Sequence, residues 1–573
     1  MSAELIAVAR GDAPPDLVIA GARLLSVFTR EWLEVDVAVA GGRIAGLGAY
    51  EGGERVDARG AWLVPGFIDA HVHIESSKLT PAEFARAVVP HGTTAVVTDP
   101  HEMANVLGLE GVEWMLEASE GLPLDVFVMA PSCVPASGFE SPRGPLGPAD
   151  MAAILRHPRA LGVAEMMNFP GVIAGDPEVL ARIVAAHVDG HAPGVAGRAL
   201  NAYIAAGIRS DHEATTYEEA LEKRRRGMWV LIREASNARN ERDLLPLVAS
   251  FGPQHCAFCT DDREPDLLYR EGHIDQMCRI AVQEGIAPED ALLMATLHGA
   301  RCHGLLDRGA IAPGLRADLV LLDDLESFRV ARVYKDGRLV AADGAAEPFA
   351  RAAVPERVRR TMNAAPLAAD AFSMGIGADR VRVIEIVPGQ LITLAREASP
   401  AVLDGHVVAD PGQDLAKIAV VERHHATGRI GRGLVRGFGL REGAFASTVA
   451  HDAHNVVVVG VADEDMRACV ERLQEIGGGI VVARDGAVRG ELPLPVAGLL
   501  SDEPVEDVVD RLESLQDMLR DQGVRDDAPF MTLSFLALSV IPALKITDRG
   551  LVDVERFELV PFAVDERTST AAG

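Results

Sequence analysis

The sequence predicts an α/β protein built on a (β/α)8 TIM barrel. A small β-rich domain drawn from both flanks and an additional C-terminal α+β domain complete the expected architecture. Two observations carry this expectation. Eight apolar strand candidates alternate with helical stretches between residues 65 and 305, and strand-like texture recurs on either side of that segment.

The chain opens with DLVIAGARLLSV, VDVAVAGGRIAGLG and AWLVPGFIDAHVH, short alternating runs broken by glycine turns, as in a β-rich module. The eight candidates that follow are FIDAHVH, TTAVVTD, LDVFVMAP, ALGVAEM, VDGH, GIRSDHE, MWVLIRE and HCAFCTDD, and six of them finish on Asp, Glu or His. The pieces between them, such as TPAEFARAVVPHG, PEVLARIVAAH and TYEEALEKRRRG, have apolar residues at helical spacing. In a (β/α)8 barrel the active site lies at the C-terminal strand ends, where these polar residues fall. A doubly wound open sheet also binds ligands beyond its strand ends, but the sequence has no Gly-rich phosphate loop to support it. At the fifth strand a helix ending near His187 runs almost directly into VDGH, so His187 and His191 compete for one position.

The texture of the first module returns in ADLVLLDDLESFRVARVYKDGRLV, residues 317–340. The expected division is residues 1–64 plus 306–350 for the small domain, 65–305 for the barrel and 351–573 for the C-terminal domain. The boundary of the last falls within FARAAVPERVRRTMNAAP, residues 349–366, an Arg- and Ala-rich linker or helical connector. The C-terminal domain then carries a dense group of polar residues, His424, His425, His451, Asp452 and His454, suited either to closing the barrel mouth or to a domain or subunit contact.

With 55 basic and 84 acidic residues, the formal charge is -29, which argues against nucleic acid or anionic membrane as a partner. Six cysteines in 573 residues make no disulfide framework and suit reduced thiols of a cytoplasmic protein. The start MSAELIAVARGDAPPD lacks the basic and apolar regions of a signal peptide. The apolar stretch from Phe535 to Leu544 contains Pro542 and is far short of the roughly 20 residues of a spanning helix.

PGFIDAHVH is the strongest local signal. His71 and His73 stand two apart on a strand, so both imidazoles point the same way and can share one metal ion. The motif resembles the amidohydrolase superfamily, in which this strand-one pair binds one metal of a mono- or binuclear centre. GAIAPGLRADLVLLDD is similar to the superfamily's return into its small β domain. Longer strings resemble the adenine deaminase family: GFIDAHVHIESS, HGTTAVVTDPHEMANV, MMNFPGV, DGHAPGVAGRALNAYIAAGIRSDHE, FCTDDREPDLLYREGHID, and in the last module VVERHHATGRIGRG, ASTVAHDAHN and LPLPVAGLLSDEP.

That resemblance implies a site. Where many superfamily members carry a carbamylated lysine on strand four, this chain has no lysine between Lys78 and Lys223, and the residue there is Glu165. A carboxylate can bridge two divalent ions unmodified; the alternative is a surface glutamate at a strand end. His191 and His212 stand where the superfamily's second-metal histidines fall, and Asp261 matches the final-strand aspartate that contacts metal and takes a proton from water. The implied metal set is His71, His73, Glu165, His191, His212 and Asp261. Asp261, Glu165 and His101 are the expected catalytic residues, with Glu102 and Glu213 as further candidates for substrate contact. Asp262 is expected on the opposite face, and Cys256 and Cys259 in strand packing.

The implied reaction is hydrolytic deamination of adenine, a free purine base, to hypoxanthine and ammonia by a metal-activated hydroxide. Two Mn2+ per subunit are expected, Fe2+ or Zn2+ being compatible with the same N/O ligands, and a homo-oligomer, a dimer, is the expected assembly. The alternatives are a relative acting on another aminopurine or a cyclic amide, and a non-catalytic binding scaffold.

Overall fold

The computed structural model describes residues 3–184, 187–375 and 377–564. Eight parallel strands form its centre: β1 (Phe67–Val72), β2 (Thr93–Thr98), β3 (Asp125–Ala130), β4 (Ala160–Met166), β5 (Val188–Gly190), β6 (Ser210–Asp211), β7 (Trp229–Arg233) and β8 (Cys256–Cys259). β1, β2 and β8 are buried along their whole length, as expected of strands covered on both faces, so their sequences are runs of apolar and small residues rather than alternating ones.

Helices separate the strands, and their ends follow local chemistry. Tyr217–Arg225, between β6 and β7, starts at Thr216, whose side chain accepts a hydrogen bond from the Glu219 amide. Glu218 and Glu219 occupy its first turn and Lys223 to Arg225 its last, matching the helix dipole.

The strands pair in order as two parallel sheets, β1 to β5 and β6 to β8. They curl toward each other without forming one continuous eight-stranded ladder. Between β5 and β6 a single backbone bond links the Arg209 amide to the Val188 carbonyl at 3.3 Å. Between β8 and β1 there is one parallel bridge, Val72 with Asp261. The uninterrupted closure expected from sequence gives way here because β5 and β6 are only three and two residues long.

Strands from both flanks meet in one seven-stranded sheet, in which Leu319–Leu322 pairs antiparallel with Trp62–Pro65, itself parallel to Arg23–Ser26. A four-stranded sheet of Leu17–Ala20, Val37–Ala40, Arg43–Leu47 and Glu54–Asp57 lies beside it. Lys335 from the larger sheet reaches Asp318 at 2.9 Å and Asp125, the first residue of β3, at 2.7 Å, tying this layer to the core.

The C-terminal part is an eight-stranded, mostly antiparallel sheet with the helix Asp463–Ile476 packed on it, followed by Val505–Asp521, Pro529–Phe535 and a three-stranded sheet. It sits over the C-terminal strand ends. The Ser501 amide donates to Lys78 O at 2.8 Å, the Val505 amide to Glu83 Oε2 at 2.9 Å, and the Ser137 and Ser539 hydroxyls meet at 2.6 Å. All six cysteines are buried and unpaired, and among the described residues no helix is long and apolar enough to cross a membrane.

Gly92 makes the turn into β2 at a φ of +88°, and its carbonyl accepts the Phe67 amide at 2.9 Å. A Cβ there would lie 2.8 Å from the Phe67 ring. Gly92→Ala is therefore expected to lose about 1–3 kcal/mol, from the left-handed backbone and overpacking together. A lowered urea midpoint for the variant is the readout, and an unchanged midpoint would contradict this account of the turn.

Candidate metal centre and active site

The end of β1 and the turn after β8 are stitched together by two backbone bonds. The Asp261 amide donates to His71 O at 3.0 Å, and the His73 amide to Asp261 O at 3.2 Å. This holds Asp261 at a φ of +55°, the left-handed region that Asp tolerates better than most residues. His71 and His73 then face inward together, their Nε2 atoms 3.1 Å apart, with Asp261 Oδ1 3.6 Å from the first and 3.2 Å from the second.

Glu165, near the end of β4, stands across from them. Its two oxygens face different partners. Oε1 lies 3.4 Å from His73 Nε2 and 3.6 Å from His101 Nδ1. Oε2 lies 2.7 Å from His191 Nδ1 and 3.1 Å from His212 Nε2. His212 also stacks on His71, with centroids 4.1 Å apart. His71, His73, Glu165, His191, His212 and Asp261, from five strand ends, are residues no more than 5% exposed. His187 takes no part: its Nε2 is 3.0 Å from His303 Nδ1 and 3.7 Å from Asp189 Oδ1, away from Glu165. Lys223 pairs with Asp211 and Glu219, and Lys78 with Glu264.

Charged neighbours set the ionisation of the cluster. Burial works against the Glu165 carboxylate, but His191, His212 and His73 outweigh it and hold its pKa well below the usual range. Burial likewise opposes ionisation of Asp261, and His71, His73 and Arg233 overcome it. Arg233 donates to Asp261 Oδ2 at 2.8 Å and forks onto Glu213. For His71, burial pulls the pKa down, while the neighbouring Asp189 and Asp261 carboxylates lift it to about 10. His191 is lifted against burial to about 9 by Glu213 and Glu165. His101 lies 3.1 Å from Asp99 Oδ2 and is raised, against burial, by Asp99 and Asp452.

The donor chemistry fits divalent cations. His71, His73 and Asp261 form one set whose ligand atoms lie within 4.8 Å of one another; His71, Glu165 and His212 form another, and His73, Asp99, His101 and Glu165 a third. Imidazole and carboxylate without thiolate suit Mn, Fe or Zn. Facing imidazole nitrogens at 3.1 Å, buried among carboxylates, are also what a site for positive charge requires.

The C-terminal part roofs the cluster. Leu391, His451, Asp452, Phe535, Leu538 and Ile541 line the cavity opposite Met167 and the strand-end residues. The cavity closes to about 20 Å³. That is far below the roughly 300 Å³ at the small end of ligand pockets, so a molecule of that size would fit only with the roof displaced. Asp262 also lines the cavity, contrary to its expected opposite-face position, because the left-handed turn at Asp261 breaks strand alternation. Its Oδ1 accepts from Ser76 Oγ at 2.5 Å.

Of the two further candidates, Glu213 lines the cavity, held by Arg233. Glu102 is buried, its Oε1 3.0 Å from Ser76 Oγ and 3.3 Å from His451 Nδ1. Cys256 and Cys259 are buried within β8. Sequence reasoning missed the roles open to Arg233, Asp189, Asp99 and Leu391. Two of these left a trace, Arg233 as the arginine in MWVLIRE and Asp99 as the aspartate closing TTAVVTD.

Residues 62–340 match the amidohydrolase family, and residues 390–558 match the family described as adenine deaminase C-terminal domain. The chain is 48% identical over 562 residues to adenine deaminase of Desulfatibacillum aliphaticivorans, covering 97% of this chain and 99% of that one. It is 47% identical to adenine deaminase 2 of Carboxydothermus hydrogenoformans, covering 98% and 99%. It is 49% identical to adenine deaminase of Cereibacter sphaeroides, covering 97% and 99%.

Because His71 and His191 are lifted to about 10 and 9, the metal-free site holds protons at neutral pH. His73 is raised as well, so metal uptake at pH 7.5 is expected to expel protons from His71, His73 and His191, and apparent affinity to rise with pH as proton competition falls. Calorimetric titration of metal-free protein in buffers of different ionisation enthalpy measures this directly. Metal binding with no proton release would show that these imidazoles do not hold the ions.

Proposed function

The chain belongs to the adenine deaminase family of the amidohydrolase superfamily, and we propose on that premise that it hydrolyses adenine to hypoxanthine and ammonia. The observation that carries the site reading is the division of Glu165, one oxygen facing His73 and the other facing His191 and His212. On this reading two divalent ions, Mn2+ by preference, would be held by His71, His73 and Asp261 and by His191 and His212, with Glu165 shared between the two sets. When bound, the ions supply Lewis acidity and lower the pKa of water toward neutrality. The two parallel sheets act as arcs of one (β/α)8 barrel, a reading supported by the Val72–Asp261 bridge and the Arg209–Val188 bond. The division at residues 65–305 and 351–573, with a small domain from both flanks, is part of the same proposal.

The side chains divide the proton work. Arg233 occupies Asp261 Oδ2, which leaves Oδ1 to take a proton from the attacking water. Oxygen adds to the ring carbon bearing the exocyclic amine. His101, kept protonated by Asp99 and Asp452, donates toward a ring nitrogen as that carbon becomes tetrahedral. Asp261 then returns its proton to the departing nitrogen, and ammonia leaves as the hydroxyl proton on that carbon passes to His101, which restores the imidazolium and forms the carbonyl. Arg233 and the cations counterbalance the clustered carboxylates, so Asp261 stays in its basic form at neutral pH.

Manganese-loaded protein is expected to release ammonia from adenine in a coupled assay. Turnover of another aminopurine or a cyclic amide, with none of adenine, would replace the proposed substrate. Asp261→Asn is expected to lower kcat by about 10²–10⁴-fold. Glu165→Gln should leave one ion or none per chain by elemental analysis and abolish turnover; two ions and normal turnover in that variant would remove the bridge.

A further inference from the structure

The roof carries polar atoms that the catalytic scheme leaves unused. His451 Nε2 and Asp452 Oδ2 are buried and have no hydrogen-bond partner, and both residues line the cavity. The opposite end of each is anchored. His451 Nδ1 lies 3.3 Å from Glu102 Oε1, and its ring stacks on Phe535 with centroids 4.4 Å apart and planes 17° apart. Asp452 Oδ1 lies 3.5 Å from His101 Nε2 and 3.6 Å from His451 Nδ1. Two adjacent residues, 2% and 1% exposed, thus each hold one end fixed and leave one end unsatisfied. Buried polar atoms rarely stay unpaired without a reason, and a ligand is a common one.

The surrounding surface narrows the kind of ligand. Leu391, Phe535, Leu538 and Ile541 with Met167 make the apolar part of the wall, suited to the faces of a flat heteroaromatic ring, with polar atoms confined to its edge. Since the cavity closes to about 20 Å³ beneath this roof, a base within reach of Glu165 and Asp261 must press against it.

We propose that His451 and Asp452 read the purine edge remote from the reacting carbon, Asp452 Oδ2 accepting the N9–H and His451 Nε2 pairing with N3. This rests on the adenine-deamination reading and assigns substrate recognition to the C-terminal module, while the strand ends carry the chemistry. The same residues admit a second use, because His101, His451 and Asp452 bring ligand atoms within 4.8 Å of one another and could hold an ion. An ion there would leave the apolar wall without a function.

The test compares adenine with 9-methyladenine, which lacks the N9–H, in manganese-loaded full-length enzyme. Wild type is expected to favour adenine by about 10²-fold or more in kcat/KM, since a site built to bond a substrate N–H rejects the analogue without it. Asp452→Ala should lower kcat for both substrates through His101, raise KM for adenine and bring the two substrates within about threefold of each other in kcat/KM, with metal content unchanged. Asp452→Asn keeps an acceptor oxygen and should recover part of the preference. Undiminished discrimination in Asp452→Ala would overturn the proposal, and so would a metal count below wild type in either variant, which would mark Asp452 as a ligand. Wild type that turns over neither compound would instead overturn the adenine reading on which the proposal stands.

Discussion

A carboxylate buried among imidazoles is the constraint around which the protein is arranged. Glu165 is 3% exposed and stays ionised, which in a low-dielectric interior is tolerable only with cationic or hydrogen-bonding partners close by. His73, His191 and His212 supply these from three other strand ends. The strands must therefore end at nearly the same level, and short segments such as β5 and β6 are sufficient provided they deliver His191 and His212.

Charge around this centre is balanced in concentric steps. Asp261 adds a second carboxylate, which Arg233 offsets, and Glu213 is drawn into the same guanidinium. Asp99 and Asp189 stand behind His101 and His71. Such an assembly needs water kept out and geometry kept tight, and the C-terminal module does both by lying across the strand ends. The lower sheet, fixed to β3 through Lys335 and Asp125, braces the opposite end.

What the sequence made legible was local. The HxH spacing places two imidazoles on one face whatever the rest of the chain does, and the missing lysine directs attention to Glu165. Each of the eight strand candidates contains an observed strand. His187 and His191 were indistinguishable because the three-residue β5 leaves both near its ends; only the fold turns one to Glu165 and the other to His303. Asp262 was misplaced because a left-handed residue cannot be anticipated from strand alternation. The roof was illegible for a different reason. Leu391, His451 and Phe535 are far apart in sequence and share no spacing rule, so only long-range packing brings them together. Interrupted pairing between β5 and β6 likewise depends on strand lengths that periodicity does not define to within a residue.

The positive φ of Asp261 bears on how this sequence can drift. Two unrelated demands fall on one position: a backbone in the left-handed region, and a carboxylate with one oxygen facing His73 and the other Arg233. Asparagine and glycine suit the first demand but lack the carboxylate, while glutamate keeps the charge at the cost of a backbone it adopts reluctantly. No single-residue path leads away from aspartate without losing one or the other. A lineage that relaxed selection on the chemistry would still find the backbone steering replacements toward a few small residues, so the position would decay along a narrow route.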